Sequence, residues 1–230
     1  GILPNSKLNR NILNGSFTRN LSDKIKTSAF FTFSDQTTVG RNSTGYGDNI
    51  VTGFRQWWQT NVDIQELKQE YERNQQNVTW NMNSPVNGDY SPAYWNNPYF
   101  DRYQNYSSDD RNRVLAGANL SIDLTKDLNI LGRVTIDNSN DRQELRKAKG
   151  SHAEEFGLSA LDETSGYSLY TRSFLQTTYD FIATYDLKFS DRISAKLLGG
   201  STFIKSKTDS FEGSTTGGLV APGLYTLANS

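Results

Sequence analysis

Two pairs of adjacent carboxylates, Asp109-Asp110 and Glu154-Glu155, are the residues most able to do acid–base chemistry. A catalytic acid and base flank a reacting group, whereas neighbouring carboxylates in a polar segment are typical of solvated charge. The chain has one histidine, His152, and no cysteine, which removes most arrangements of nucleophile and base. No phosphate-binding loop, nucleophile elbow or zinc-protease spacing occurs. We therefore expect no enzymatic activity and no cofactor.

A metal site has equally little support in the sequence. Asp137, Ser139 and Asp141 alternate as in a calcium-binding loop. However, Arg142 stands where the sharp turn needs glycine, and Ala148 stands where a closing glutamate belongs. A single histidine without cysteine cannot make a multi-histidine or thiolate zinc site. We expect no bound metal.

Large aromatic side chains are the one chemistry that the sequence supplies in quantity. The chain has 12 Tyr, 12 Phe and 4 Trp, and all the tryptophans lie in one polar segment between residues 57 and 95. Flat rings stack on sugar faces or fill pockets on a protein partner. The candidate contact residues are Trp57, Trp58, Trp80, Tyr94, Trp95 and Tyr99. The same rings could form the core of their own loop, so internal packing, partner contact and substrate contact all remain open.

Alternating apolar and polar residues predict the strands that carry this aromatic segment. Apolar residues recur at every second position in three stretches, 13–33, 114–136 and 175–203. A period of two residues indicates β-strand, with one apolar and one polar face. Each stretch is interrupted by a short polar turn that contains a charged pair, at 22–24, 125–127 and 190–192. A repeated hairpin is therefore the structural unit of the chain.

The hairpins alternate with long polar connections. The predicted hairpins cover about residues 8–35, 111–138 and 172–206. The predicted loops cover about residues 36–110, 141–171 and 207–230. Compact domains rarely contain such loops unless the loops are functional.

The first loop contains a predicted helix. It runs from Gln59 to Asn74, with Thr60 or Asn61 as its N-cap. Its apolar stripe consists of Ile64, Leu67 and Tyr71. We expect this stripe to pack against the sheet.

Long strands with one apolar face, joined by short turns at one end and long loops at the other, are typical of an outer-membrane β-barrel. Hydrocarbon leaves no backbone group unpaired, so such a sheet must close, and its polar face lines the lumen. The predicted lumen-facing residues are Arg113, Arg133 and Asp180. The predicted interfacial aromatic girdle consists of Phe31, Phe33, Tyr185, Phe189 and Phe203. A soluble β-sandwich is the alternative, since its strands also alternate.

Composition is compatible with a one-sided apolar sheet. The mean hydropathy is -0.67, which we attribute to a lipid-facing row averaged with a lumen-facing row and polar loops. A formal net charge of -1 excludes the basic surface that nucleic acid requires. Six strands are too few to close a membrane barrel, since the smallest has about eight. We expect the chain to be a piece of a larger barrel or to form an oligomer.

Several motifs, in this order and spacing, resemble the barrel of the SusC/RagA family of TonB-dependent transporters. Those in the middle of the chain are Asn-Pro-Tyr-Phe at 97–100, Asp-Arg-Asn-Arg-Val-Leu-Ala-Gly at 110–117, Thr-Lys-Asp-Leu at 125–128 and Gly-Arg-Val-Thr-Ile-Asp at 132–137. Those at the ends are Asn-Arg-Asn-Ile-Leu-Asn-Gly-Ser at 9–16, Pro-Gly-Leu-Tyr at 222–225 and Asn-Ser at 229–230. The resemblance therefore extends over nearly the whole of residues 1–230, which it identifies as part of such a barrel.

The resemblance implies a barrel of about 22 strands with an N-terminal plug, in the outer membrane of a Bacteroidetes-type Gram-negative bacterium and in contact with its lipid. It also implies a SusD-like lipoprotein that closes over the extracellular mouth, and import of oligosaccharides or peptides driven through TonB. The plug and the TonB-contacting region are not in this sequence, so any contact with TonB is expected through an N-terminal region outside it. On this reading, the candidate aromatic residues contact the lid or the substrate. The alternative function is a secreted β-rich adhesin or glycan-binding module that uses the tryptophan-rich loop.

Overall fold

The computed structural model describes residues 3–42, 44, 49–51, 59–158 and 160–230. In chain order, its elements are β1 (Lys7–Ser22), β2 (Ile25–Val39), α1 (Ile64–Asn74), β3 (Met82–Ser84), β4 (Asp89–Pro92), α2 (Pro98–Tyr103), β5 (Ser107–Asp123), β6 (Leu128–Lys147), β7 (Glu154–Glu155), β8 (Asp162–Glu163), β9 (Gly166–Ser190) and β10 (Ile193–Ser214). Within these ranges, no helix is long and apolar enough to cross a membrane.

One antiparallel sheet of six strands dominates the fold, in the order β1-β2-β5-β6-β9-β10. The predicted all-β, antiparallel fold of three hairpins is therefore confirmed. Tight turns join β1 to β2, β5 to β6 and β9 to β10 at one end of the sheet. The long connections from β2 to β5 and from β6 to β9 both leave from the opposite end, which we call the outer end. β3 pairs with β4, and β7 with β8, in two small separate ladders.

The strands extend further toward the outer end than the predicted hairpins. β6 continues nine residues beyond 138, to Lys147, and β10 continues from 206 to Ser214. The connection between β6 and β9 is accordingly 148–165 rather than 141–171. The sequence pattern did not predict these strand ends, because residues 138–143 are polar on both faces and show no apolar–polar alternation. Backbone pairing does not depend on side-chain polarity, so the strands continue.

Most of the apolar residues of the six strands lie on one face, although Phe30, Leu131, Ile182, Leu198 and Ile204 are among those on the other. Directly paired residues of antiparallel strands share a face, and Phe33 pairs with Val114 while Tyr179 pairs with both Val134 and Phe203. These side chains are exposed: Phe33 is 40%, Tyr179 51% and Phe203 63% accessible. We call this face the apolar belt. The predicted girdle residues Phe31, Phe33, Tyr185, Phe189 and Phe203 all belong to these strands and are exposed.

No second layer covers the apolar belt within the described residues. The buried apolar side chains of these ranges are Leu67, Tyr71, Phe100, Ala148, Tyr167 and Leu219. All of them lie in the connections or at the outer end of the sheet. The described part of the chain therefore lacks the facing sheet that a β-sandwich uses to bury its strands.

The three tight turns are staggered along the strand direction. Ile25, the first residue of β2, lies opposite Ile122, one residue from the end of β5. Leu128, the first residue of β6, lies opposite Tyr185, while β9 continues five residues further, to Ser190. Strands tilted around a barrel need such a stagger from one strand to the next.

Helix α1 starts later than predicted. It begins at Ile64, and its N-cap is Asp63, whose side chain accepts a 2.8 Å hydrogen bond from the backbone N–H of Gln65. The expected start at Gln59 and cap at Thr60 or Asn61 are wrong, because 60–61 form a turn instead. A carboxylate acceptor directly before the apolar period satisfies a helix N-terminus well.

The buried stripe of α1 also packs elsewhere than expected. Tyr71 forms a small cluster with Phe100 of α2 and Ala148 of the second connection. Its ring stacks on Tyr103 with centroids 5.5 Å apart. The prediction that this stripe packs against the sheet is wrong, since its partners come from the connections. The connections thus have a core of their own.

Candidate functional site

The described residues of the two long connections, within 40–106 and 148–165, form one body at the outer end of the sheet, which we call the outer cap. Its apolar core is small, consisting of the Tyr71 cluster and Leu67 of α1, and polar side chains hold most of the remainder. Eight asparagines lie between residues 74 and 105. Each of these side chains makes at least one hydrogen bond within the outer cap.

Asn97 is the most buried of these asparagines, with 0% exposure. Its Nδ2 donates to the backbone oxygens of Leu67 and Val78, each at 2.8 Å. Its Oδ1 caps α2 by accepting from the backbone N–H of Tyr99 at 2.9 Å. Its own N–H donates to Asn77 Oδ1 at 2.8 Å. One side chain therefore joins α1, α2 and the segment between them.

Asn81 fixes the aromatic segment. Its Oδ1 accepts from the backbone N–H groups of Tyr94 and Trp95, at 2.9 and 2.8 Å. Its Nδ2 donates to the Trp95 carbonyl and to Thr79 Oγ1, both at 2.8 Å. The backbone that carries the two rings is therefore held at the N–H of Tyr94 and at both the N–H and the carbonyl of Trp95.

Asp101, an acidic group of the cap interior, links the two connections. Its Oδ1 accepts from Asn96 Nδ2 at 2.8 Å and from Asn105 Nδ2 at 2.9 Å. The oxygens of the two amides then accept from the second connection, Asn96 from the N–H of His152 and Asn105 from the N–H of Ala148, at 2.6 and 2.7 Å. The carboxyl thus sets the orientation of both amides.

A cavity of about 230 Å³ lies between the outer cap and the outer end of the sheet. Three of the candidate residues, Trp80, Tyr94 and Trp95, line it. Trp80 and Trp95 are half-buried, whereas Tyr94 is 71% exposed. Asp101 and His152 also contribute to the wall. The aromatic segment is therefore brought to a concave surface, together with titratable groups.

The remaining candidates lie apart from this cavity. Tyr99 packs at the edge of the cap core and lines a separate apolar pocket of about 200 Å³. Trp57 and Trp58 lie outside the described residues. The structure therefore brings together three of the six aromatic candidates.

The charges of the cavity wall are largely matched. Lys147, 3% exposed, pairs with Glu154 at 3.2 Å. Removal from water, reinforced by the charge of Glu154, raises the pKa of Asp101 to about 7, against the donated amide hydrogen bonds and Lys147. Burial also lowers the pKa of His152 from its usual value. Groups that titrate near neutral pH in a cleft are candidates for function.

The predicted lumen-facing residues share the face opposite the apolar belt. Arg113 makes a two-pronged ion pair with Asp137, with distances of 2.8 and 2.6 Å. Arg133 pairs directly with Asp180 across β6 and β9, at 2.8 Å. Asp180 also accepts from Thr202 Oγ1 at 2.7 Å. These residues form a polar wall that leads from the tight turns toward the cavity.

The two aspartates of the candidate calcium loop, Asp137 and Asp141, are also paired with arginines. Asp137 is bound by Arg113, and Asp141 by Arg111. Sequence reasoning missed Asp101 and the asparagines as members of the cavity. The density of asparagine from 74 to 105 was the available signal, because a polar loop that must fold on itself needs side chains that both donate and accept.

Comparison with known proteins finds matches in solved structures. No family model matches the chain, and no curated protein matches it. Solved structures of the RagAB peptide transporter, and of the RagAB peptide importer in its "closed-closed" and "open-open" states, match 98% of this chain. Their sequence identities are 12, 14 and 15%, and their TM-scores are 0.63, 0.60 and 0.59.

The chain spans 23% of the length of the RagAB chains that it matches. At such low identity the likeness shows a shared fold. The six strands and their outer connections are thus arranged as they are in a part of those chains.

Proposed function

We propose that this chain is part of the barrel of a SusC/RagA-like outer-membrane transporter that is not an enzyme. The observation that carries the proposal is the two-sidedness of the sheet: an exposed apolar belt on one face and an ion-paired polar wall on the other. Water does not stabilise an apolar face of this extent, whereas the hydrocarbon of a bilayer does. The likeness to RagAB chains over 98% of this chain supports the same assignment.

The length of the apolar belt fits a bilayer. On β6, apolar side chains alternate from Leu128 to Ile136, after which Asn138 and Asn140 take over the same face. Nine residues correspond to about 30 Å along the strand, and a tilted membrane strand needs about 9 to 11. The outer cap then stands above the membrane, at the mouth of the lumen.

The wider assembly follows from the resemblance. The transporter imports peptides or oligosaccharides, and its mouth is covered by a SusD-like lipoprotein at the outer cap. Energy reaches it through TonB, which contacts a region outside this chain. RagAB is a peptide transporter, which favours peptides, whereas the rings of Trp80, Tyr94 and Trp95 suit either substrate class.

Quenching by brominated lipid tests the membrane orientation in the full-length transporter. The chain has no cysteine, so Phe181→Cys on the apolar belt or Thr178→Cys on the polar wall adds the one fluorophore-labelling site within residues 1–230. We expect bromine in the acyl chains to quench the Phe181 label strongly and the Thr178 label weakly. The pair is matched, because the two positions are three residues apart on one strand.

Equal quenching at the two positions, or recovery of the full-length protein in a soluble fraction, would overturn the proposal. A secreted adhesin or glycan-binding module predicts that residues 1–230 fold alone as a soluble monomer with cooperative melting. The transporter predicts aggregation of the isolated chain, because both sheet edges and the apolar belt are then exposed to water.

A further inference from the structure

We propose that Arg102 binds the C-terminal carboxylate of a peptide whose last side chain is apolar. The site lies between the cavity of Trp80, Tyr94 and Trp95, which we call the aromatic cavity, and the neighbouring pocket of Tyr99, which we call the apolar pocket. The inference rests on the proposed function, because it names the part of a peptide substrate that the outer cap recognises.

Arg102 is a cation that is buried without a counter-ion. It lies on α2 and is 7% exposed. Its Nε donates to the Pro4 carbonyl at 3.0 Å, and its Nη2 donates to Ser6 Oγ and to the Gly40 carbonyl at 2.7 and 2.5 Å. All three acceptors are neutral, and no carboxylate makes an ion pair with Arg102 among the described residues. Because an unpaired buried charge is costly, this position favours an anionic ligand.

One nitrogen of the guanidinium remains available to such a ligand. Nη1 of Arg102 makes no hydrogen bond within the described residues, whereas Nε and Nη2 are both used. Nη1 is not enclosed either, because Asp109 Oδ1 is the only enclosed side-chain atom without a partner in those residues. Nη1 is therefore reached from the cavities that Arg102 lines. Guanidinium N–H groups form strong, charge-assisted hydrogen bonds with carboxylate oxygens.

The apolar pocket fits the last side chain of the peptide. Its volume is about 200 Å³, and its walls include Leu3, Ile50, Val51, Ile64 and Tyr99. Arg102 is the one charged residue among the described residues that line it. A cavity of about 150 Å³ with apolar walls holds a benzene molecule, so this pocket has room for the side chain of leucine or phenylalanine.

The aromatic cavity lies directly beside the apolar pocket. Ile50, Pro98 and Arg102 line both of them. A peptide whose last side chain occupies the apolar pocket therefore has its carboxylate beside Arg102 and its preceding residues toward Trp80 and Trp95. A neutral oligosaccharide has neither the apolar side chain nor the carboxylate, so the arrangement favours peptides over glycans.

Calorimetric titration of the full-length protein with the tripeptide Ala-Ala-Phe and with its C-terminal amide tests the carboxylate. We expect the free acid to bind about 10- to 100-fold more tightly than the amide, because only the acid makes charge-assisted hydrogen bonds with Arg102. Ala-Ala-Ser with a free carboxylate should bind at least about ten-fold more weakly than Ala-Ala-Phe, because its last side chain leaves the apolar pocket unfilled.

Val51→Trp and Val86→Trp are the matched variants that locate the binding site. Both valines are exposed residues of the first connection, at 52 and 96%, but only Val51 lines the apolar pocket. Val51→Trp occupies the pocket with its own ring and should weaken binding of Ala-Ala-Phe at least about ten-fold. Val86→Trp should bind the tripeptide as the wild type does.

Arg102→Gln removes the cation and should bind the acid and the amide equally, while hydrogen exchange of residues 98–104 reports whether α2 remains folded. If this variant does not fold, the two valine variants still decide. Equal binding of acid and amide by the wild type, or equal binding of Ala-Ala-Phe by the two valine variants, would overturn the proposal. So would tighter binding of dodecanoate than of the tripeptide, which would assign the pocket to an acyl chain. Lipid quenching tests membrane insertion separately, so a protein that passes it can still fail here.

Discussion

The apolar belt and the outer cap differ in which side chains they expose and which they bury. In the belt, large side chains such as Phe181 and Leu197 are 52 and 56% exposed. Only the backbone groups find partners within the chain there, through the hydrogen bonds between paired strands. In the outer cap, Asn97 and Thr79 are 0 and 1% exposed, and amide side chains satisfy the interior. The proposed function accounts for the difference by two solvents. A face that borders hydrocarbon needs no apolar core behind it, whereas a loop in water must organise one from its polar groups.

The largest expected effect of a single change is in the outer cap. Asn97→Ala removes the side-chain hydrogen bonds to the carbonyls of Leu67 and Val78 and removes the cap of α2. We expect a loss of about 3 to 5 kcal/mol in the local unfolding free energy of residues 64–104. Native-state hydrogen exchange of the full-length protein measures this quantity.

Asn83→Ala is the matched control for that change. Asn83 is an exposed asparagine of the same connection, and it donates one hydrogen bond to Ser91 at 2.9 Å. Its loss should cost less than about 1 kcal/mol. Equal losses in the two variants would show that burial of Asn97 does not hold the cap together.

The next largest effect is expected in the apolar belt. In the proposed membrane orientation, Phe181→Arg places a charge on a lipid-facing surface, which costs about 2 to 4 kcal/mol at mid-membrane depth. Thr178→Arg places the same side chain on the polar wall, where we expect a cost near zero. Urea titration of the heat-resistant folded form in vesicles compares the two variants. If the sheet were soluble, the difference in stability between the two arginine variants would be the same with and without lipid.

The belt could be predicted from the sequence and the outer cap could not. Alternation of Val114, Ala116 and Ala118 with polar residues is a local signal, and it predicts both the strand and its apolar face. The links of the cap join positions such as Asn105 and Ala148, 43 residues apart, with no period to reveal them. The ends of the strands were missed for a related reason, since Asn138 to Asp141 are polar whichever face they occupy.

The contrast between local sequence patterns and long-range hydrogen bonds also explains which aromatic candidates lie together. Their types and position predict rings that gather in one connection, and Trp80, Tyr94 and Trp95 do line one cavity. Tyr99 follows the turn of the chain at Asn97, which caps α2, and lines the second pocket instead. That turn is fixed by long-range bonds to Leu67 and Val78, which no local pattern encodes.

A smaller effect is expected on the polar wall, the third environment of the molecule. Arg133 is 45% exposed and Asp180 is 9% exposed, and the pair is 2.8 Å apart in a wall that faces water. Exposed ion pairs contribute little, so Arg133→Ala should change the unfolding free energy by no more than about 1 kcal/mol. A double-mutant cycle with Asp180→Ala isolates the coupling. A coupling above about 2 kcal/mol would mean that the wall is dry, and that it packs against something outside this chain.

The smallest effect is expected at the tip of the β3–β4 hairpin. Val86 is 96% exposed, in the short 3-10 turn Pro85–Asn87 between the two strands. Because its side chain touches almost nothing here, Val86→Ser should change cap stability by less than about 0.5 kcal/mol. Hydrogen exchange of the hairpin in the full-length protein checks this. A clear loss of protection would place Val86 against a surface of the assembly outside residues 1–230, and would make the cap an apolar contact region as well as a polar one.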